Sequence, residues 1–386
     1  MSRFWLQPAA LVASLVLAAC GGMTAQNKGS TTAGQVARVS FQCRLPVGGF
    51  ALGPAPKNGL RLDSDGQPVQ KSAGGFVNFP NATYQAAADS DRSYVASTKT
   101  WLPAPPEAVA PDQRSFVEAK APNGSPFMAD TVYLVDVQSN AKRVIFTAPA
   151  GEMLDVLAYS AAGVFVVSYS SFRPVQNAAA SIVLDRVELI NPQSGSHKPV
   201  PGSEASPNAF ERWSAVTGNA MWGSVTVPPQ DIQSPPALKL VRLSLQDGAL
   251  ADWYQSTLSS SSGFPQILGF DANDHPILGI SPPYGPGEIY GAPLQLLLLT
   301  GPNQTRPIHP IGSTFRSVAT SSFRDGHGTW FGGSDGTIWL YTPSGDFLKV
   351  ATVPPQPSPP TLGYDPGKVG TPFNPLSMRS VAGSCV

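Results

Sequence analysis

Charge is scarce in this chain. Only 13% of its 386 residues are Asp, Glu, Lys or Arg, and 25 acidic residues balance 25 basic ones. That balance leaves no electrostatic footprint for nucleic acid or for an acidic surface. Cysteine is scarce too, with three in all, and the four histidines (His197, His275, His309, His327) share no metal-ligand spacing. Neither H-E-x-x-H nor a Cys/His cluster occurs, so no metal and no cofactor is expected. Helical periodicity is hard to find, so no glycine loop opens onto a helix to cradle a phosphate. The most apolar run, Leu294 to Leu299, has strand length rather than spanning length. What is plentiful is Gly and Pro, 37 and 40 residues, punctuating short strand-like runs. That pattern predicts an all-β fold.

The N-terminus carries an address. Arg3 gives a short positive region, Ala9 to Leu17 an apolar core, and Leu17-Ala18-Ala19 a small-residue cleavage site directly before Cys20. The arrangement resembles a bacterial lipobox. The resemblance implies cleavage before Cys20, lipidation of that residue, and anchoring in a cell or outer membrane on its extracytoplasmic side. Residues 20–37, rich in Gly, Ser, Thr and Gln, cannot bury enough surface to offset their ordering entropy and read as a flexible tether. Residues 1–19 are then the signal peptide, and 38–386 a single folded domain, expected to be a monomer. In an oxidising compartment the remaining pair, Cys43 and Cys385, reads as a disulfide, with two buried free thiols as the alternative.

Internal repetition organises the rest. Five alternating strands, TVYLVDVQSNA, DRVELINPQSG, LKLVRLSLQDG, LQLLLLTGPNQ and GTIWLYTPSG, each end in a polar turn. Aligning the turns on Asn140, Gly195, Gly248, Gln304 and Gly345 gives spacings of 55, 53, 56 and 41 residues. A strand pair precedes each, and a short strand follows. Four strands per period of this length make one blade of a β-propeller. Five blades run from about Trp101 to Val353. Strands around Phe41–Val47 and Gly75–Ala86 supply a sixth with the C-terminal strand Arg379–Val386, which places Cys43 and Cys385 on neighbouring strands. Seven blades remain open if residues 45–100 hold further strands.

One repeat carries more than strand pattern. In DGHGTWFGGSDGTIWLYTPSG, Asp325, Gly328, Trp330 and Phe331 are followed by a glycine-rich turn. This resembles the repeats of two-component-regulator and lyase-type propellers. The organisation of the whole chain resembles extracytoplasmic propeller lipoproteins of the TolB-like, WD-repeat-like kind. The resemblance implies the fold, and propellers host both enzymes and binders.

Gly332-Gly333-Ser334-Asp335-Gly336 also matches G-x-S-x-G, the nucleophile elbow of serine hydrolases. An elbow needs a helix after the serine, whereas Thr337 to Tyr341 read as a strand, so Ser334 is expected in a hairpin turn and no catalytic residue is assigned. Asp63-Ser64-Asp65-Gly66 starts like a calcium loop but lacks the glutamate at its twelfth position, where Gly74 stands.

The long second-to-third-strand connections, APNGSPFMAD, SYSSFRPVQNAAAS, TVPPQDIQSPPA and SPPYGPGEIYGAP, fall at one position of four repeats and so on one face of the ring. They carry Phe127, Tyr169, Phe172, Arg173, Tyr284 and Tyr290 among many prolines. Such residues dominate interface energetics. This face is the expected docking surface for an envelope protein, peptide or glycan, which makes the protein a binding module. The alternative is a propeller enzyme of lyase or lactone-hydrolase type, for which Asp155, Glu211, Asp271 and His275 would have to converge at the channel mouth.

Overall fold

The structure, a computed structural model, describes residues 36–49, 74–87, 90–120, 129–173, 181–204, 210–227, 237–257, 265–280, 294–315, 322–333, 335–354 and 379–386. They form a β-propeller of six blades, all within one compact unit spanning Thr31–Val386. Because the strands are short and half-apolar, each sheet buries both faces against its neighbours.

Blade 1 pairs the two ends of the chain. Its strands from the inside outwards are β26 (Arg379–Val381), β1 (Cys43–Gly49), β2 (Gly75–Phe79) and β3 (Thr83–Ala86). A two-stranded hairpin, β4 (Ser93–Val95) and β5 (Thr100–Leu102), follows and is too small to be a seventh blade. Blade 2 contains β6 (Ser115–Lys120), β7 (Thr131–Asp136) and β8 (Lys142–Thr147). Its inner position is held by a short 3-10 turn, Pro106–Ala108, and a single bridge from Val109 to Phe116. Pro105 and Pro106 lack the amide hydrogens that a full inner strand would donate.

Blade 3 runs β9 (Glu152–Ser160), β10 (Gly163–Arg173), β11 (Ser181–Ile190) and β12 (His197–Pro199). Blade 4 runs β13 (Phe210–Thr217), β14 (Ala220–Val227), β15 (Ala237–Ser244) and β16 (Leu250–Thr257). Blade 5 runs β17 (Pro265–Phe270), β18 (Pro276–Ile280), β19 (Gln295–Gly301) and β20 (Gln304–Ile308). Blade 6 runs β22 (Ser322–Asp325), β23 (Gly328–Gly332), β24 (Thr337–Tyr341) and β25 (Phe347–Thr352), with β21 (Pro310–Ile311) parallel at its outer edge.

Apolar clusters between successive sheets close the ring. Val95 and Leu102 of the hairpin, Phe116 and Val132 of blade 2, and Leu154 and Val164 of blade 3 share one cluster. Phe165, Trp213 and Met221 join blades 3 and 4, Leu240, Leu278 and Leu299 join blades 4 and 5, and Ile277, Phe331 and Trp339 join blades 5 and 6. Trp330 and Ile338 of blade 6 pack on Leu45, Val77 and Val381 of blade 1. Phe76 and Ala382 complete the circuit against Trp101 of the hairpin. Burial of these side chains is the main favourable term.

The repeat turns have a common physical cause. Asp136 Oδ1 accepts the amide hydrogens of Gln138 and Ser139 at 3.1 and 2.7 Å, and Asn191 Oδ1 accepts those of Gln193 and Ser194 at 2.9 and 3.0 Å. Each chain then reverses through a left-handed residue: Asn140, Gly195, Gly248, Asn303 and Gly345. In blade 5 this residue is Asn303, so the sequence alignment on Gln304 was displaced by one position.

Closure rests on backbone pairing and on a covalent bond. Val47, Gly48 and Gly49 pair with Val381, Ser380 and Arg379, and Arg44 and Val386 exchange backbone hydrogen bonds of 2.6 and 3.1 Å. Cys43 and Cys385 form a disulfide, with their Cα atoms 5.4 Å apart. Strand β26 ends at Val381, so Cys385 lies beyond it rather than on a strand reaching Val386.

The motif of blade 6 is part of this closure. Asp325 accepts three N–H donors: the His327 amide at 2.8 Å, the Trp330 indole at 2.8 Å and the Cys385 amide at 2.9 Å. Gly328, at φ 134°, leaves room that a Cβ would lose, since it would stand 2.2 Å from the Tyr341 carbonyl oxygen.

Candidate binding face

Up-and-down strands give a propeller blade two kinds of end. One face of the ring collects the first-to-second and third-to-fourth connections, and the other collects the second-to-third connections and the passages between blades. The first face is made of tight turns, such as those from Ser160 to Gly163, Thr217 to Ala220, Asp325 to Gly328 and Gly301 to Gln304. On the second face, long connections run from Lys120 to Thr131, Arg173 to Ser181, Val227 to Ala237 and Ile280 to Gln295. Blade 1 adds a fifth, from Gly49 to Gly75, which the repeat pattern had not included.

Blade 6 alone has a short connection here, and it is the one that contains the G-x-S-x-G pattern. Gly333 donates its amide hydrogen to Thr337 at 2.7 Å and Gly336 donates to Gly333 at 3.2 Å. Strands β23 and β24 flank the turn and pair with each other. Ser334 itself lies outside the described residues, but a strand, not a helix, follows it.

The six aromatic and basic residues singled out for this face fall in two groups. Phe127, Tyr284 and Tyr290 lie outside the described residues, as do Cys20 and Asp63 to Gly66. Tyr169, Phe172 and Arg173 belong to strand β10, which continues through Arg173 where the sequence suggested loop. Alternate β-branched and aromatic residues from Val164 onward extend the ladder, and Ser170 still pairs with Val183. Tyr169 is half-buried and packs on the cluster between blades 3 and 4, so it is a wall residue rather than a loop tip.

The residues that an enzyme would need fall in two places. Asp271 and His275 sit in the turn between β17 and β18, on the tight-turn face, where Asp271 accepts the amide hydrogens of Asn273 and His275 at 2.8 Å each and faces His275 Nδ1 at 3.1 Å. Asp155 lies on β9 and Glu211 on β13, the inner strands of blades 3 and 4. Among the described residues no group of three or more His, Cys, Asp or Glu side chains is placed to hold a metal ion.

One group that the sequence did not flag is at the inner edge of blade 2. Glu107 sits in the 3-10 turn that replaces the inner strand, next to β9. The residue keeps contact with solvent, while the protein around it partly desolvates its carboxyl. Burial raises its pKa above the ordinary 4.5, its own backbone N–H and the charge of Arg92 oppose the rise, and Asp155 adds to it. No motif marks Glu107; only the folded ring brings it near Asp155 and Arg92.

No family model matches the chain, and no curated protein sequence does. Among solved structures, TolB from Acinetobacter baumannii aligns with 89% of this chain and 67% of its own, at 11% identity and a TM-score of 0.42. Oligogalacturonate lyase from Vibrio parahaemolyticus aligns with 64% of this chain and 65% of its own, slightly under two thirds, at 12% identity and a TM-score of 0.39. A putative 6-phosphogluconolactonase from Bacteroides fragilis aligns with 81% and 96%, at 9% identity and 0.37. At such identities no residue role passes from these proteins to this chain. The chain is an all-β propeller, and the TolB-like and lyase-type propellers it resembles in sequence are among its structural neighbours.

Proposed function

We propose that the protein is a membrane-anchored, extracytoplasmic propeller lipoprotein that binds an envelope protein, peptide or glycan through the face of long connections. One observation carries the reading: in five of the six blades the second-to-third connection is long, while the opposite face is held to tight turns. Insertions confined to one face of a repeat fold mark its working surface. The Cys43–Cys385 disulfide supports an oxidising compartment, and the lipobox-like Leu17 to Cys20 supports the anchor. No helix among the described residues is long and apolar enough to cross a membrane.

The test is capture from envelope extract by the full chain, compared with a variant in which residues 121–130, 174–180, 228–236 and 281–293 are replaced by two-residue turns. A partner retained by the wild type and lost by the variant is the expected result. Equal capture by both forms overturns the assignment of the face.

A second reading, a lyase or lactone hydrolase with its site at the channel mouth, draws support from Glu107. A carboxyl raised by burial is suited to general acid–base work. Turnover of a polyuronate or lactone that vanishes in Glu107→Gln would favour it.

A further inference from the structure

The tight-turn face carries a site of a different kind. Between blades 5 and 6 lies a cavity of about 430 Å³, within the size range of small-molecule sites. Its walls are the turn at Asp271, the Arg306 side chain from β20, Arg324 and Asp325 from β22, Tyr341 at the end of β24, and the turn at Gly345. We propose that this cavity binds a small carboxylic acid, held by the guanidinium of Arg306 with Arg324 as the second donor.

The two carboxylates on the wall are already engaged. Asp271 takes two amide hydrogens and faces the His275 ring, and Asp325 takes three N–H donors. The hydroxyls are committed as well: Thr329 donates to the Phe270 carbonyl, Thr342 to that of Asp346, and Ser344 to the Asp346 carboxylate.

The donors are in surplus. Arg324 uses Nη1 for the Asp271 carbonyl and the Asp274 carboxylate, and among the described residues its Nε and Nη2 have no hydrogen-bond partner. Arg306 donates through Nη2 to the Tyr341 hydroxyl at 2.9 Å. Among the described residues no carboxylate forms an ion pair with it. A guanidinium has five N–H donors in a planar fork that matches a carboxylate. The phenol fixes that fork, and Gly345 makes space for it, since a Cβ there would stand 3.2 Å from Nη2.

The same wall selects the kind of anion. Asp274 pairs with Arg324, and Asp271 and Asp325 line the same cavity, so a doubly charged anion would meet repulsion that a single carboxylate largely avoids. The attraction comes from directed donors rather than net charge, which sets binding in the weak, millimolar range.

The test follows the arginine Nε–Hε signals of the full chain by NMR during titration with acetate at constant ionic strength. Acetamide serves as the neutral control and inorganic phosphate as the competing anion. Saturable shifts of the Arg306 and Arg324 signals are expected with acetate and not with acetamide. Arg306→Gln should weaken binding about tenfold or more, as loss of a bidentate charged pair does. Tyr341→Phe, which keeps the packing but frees the guanidinium, should weaken it by a smaller factor. Lys198→Gln, on blade 3, should leave it unchanged. Shifts that do not saturate, that persist in Arg306→Gln, or that are equal with acetamide overturn the site. Tighter binding of phosphate than of acetate overturns the choice of ligand.

Discussion

Removing the disulfide isolates what the covalent link adds to ring closure. The bond spans 342 residues of sequence, and the chain-entropy relation gives a loop of that size roughly 6 kcal/mol of stabilisation through the unfolded state. Measured bonds more often deliver about 2–4 kcal/mol. Unfolding entropy of about 2.1 cal/mol/K per residue makes the transition of a domain this long steep, near 0.7 kcal/mol per degree. The melting temperature of Cys43→Ser, Cys385→Ser or the double variant should therefore fall by about 3 to 8 °C. The three variants should agree, because each breaks the same bond.

The fold should survive in all three variants, since β26 still pairs with β1 and the Cys385 amide still donates to Asp325. Scanning calorimetry without reductant is the assay, with circular dichroism to confirm the strand content. Adding dithiothreitol to the wild type should bring it to the variant value. Unchanged melting in the variants, or two titratable thiols besides Cys20 in the unfolded wild type, would refute the reasoning.

Three further outcomes are expected. Burial raises the Glu107 pKa above 4.5, so the folded state holds this proton more tightly than the unfolded state. Its contribution to stability is therefore greatest at low pH and falls as pH rises from 4.5 through the folded value. Glu107→Gln should melt higher than wild type at pH 7, with the gap closing below about pH 4.5; a gap independent of pH would exclude the effect. Gly328→Ala should destabilise by more than about 1 kcal/mol in urea unfolding, because φ is positive and the new Cβ meets backbone. Cys20→Ala should release the protein to the soluble fraction or leave its signal uncleaved, as fractionation and mass spectrometry would show.

Much of the architecture was legible because strand alternation and turn chemistry are local. The third strand of every repeat, from Thr131–Asp136 to Thr337–Tyr341, is announced by apolar alternation and a polar turn. Cys43 and Cys385 could be paired because ring closure brings the chain ends together. What escaped depends on tertiary context. Tyr169, Phe172 and Arg173 read as loop because Ser and Pro surround them, yet pairing with β11 carries the strand to Arg173. The innermost place of β26 in blade 1 depends on three paired residues, too few for any pattern. The hairpin β4–β5 is equally short. The cavity at Arg306 was invisible because its walls come from two blades, with Arg306 and Tyr341 separated by 35 positions in sequence.

The central claim is a ring of six blades closed by the C-terminal strand. Hydrogen–deuterium exchange of the peptide covering residues 379–386 tests it most directly. The Ala382 amide donates to Pro46 at 2.9 Å and the Val386 amide to Arg44 at 3.1 Å, so both should exchange as slowly as amides of the inner blades. They should stay protected when the disulfide is removed. Exchange of this peptide within seconds, while the other blades remain protected, would mean that the ring is not closed by this strand.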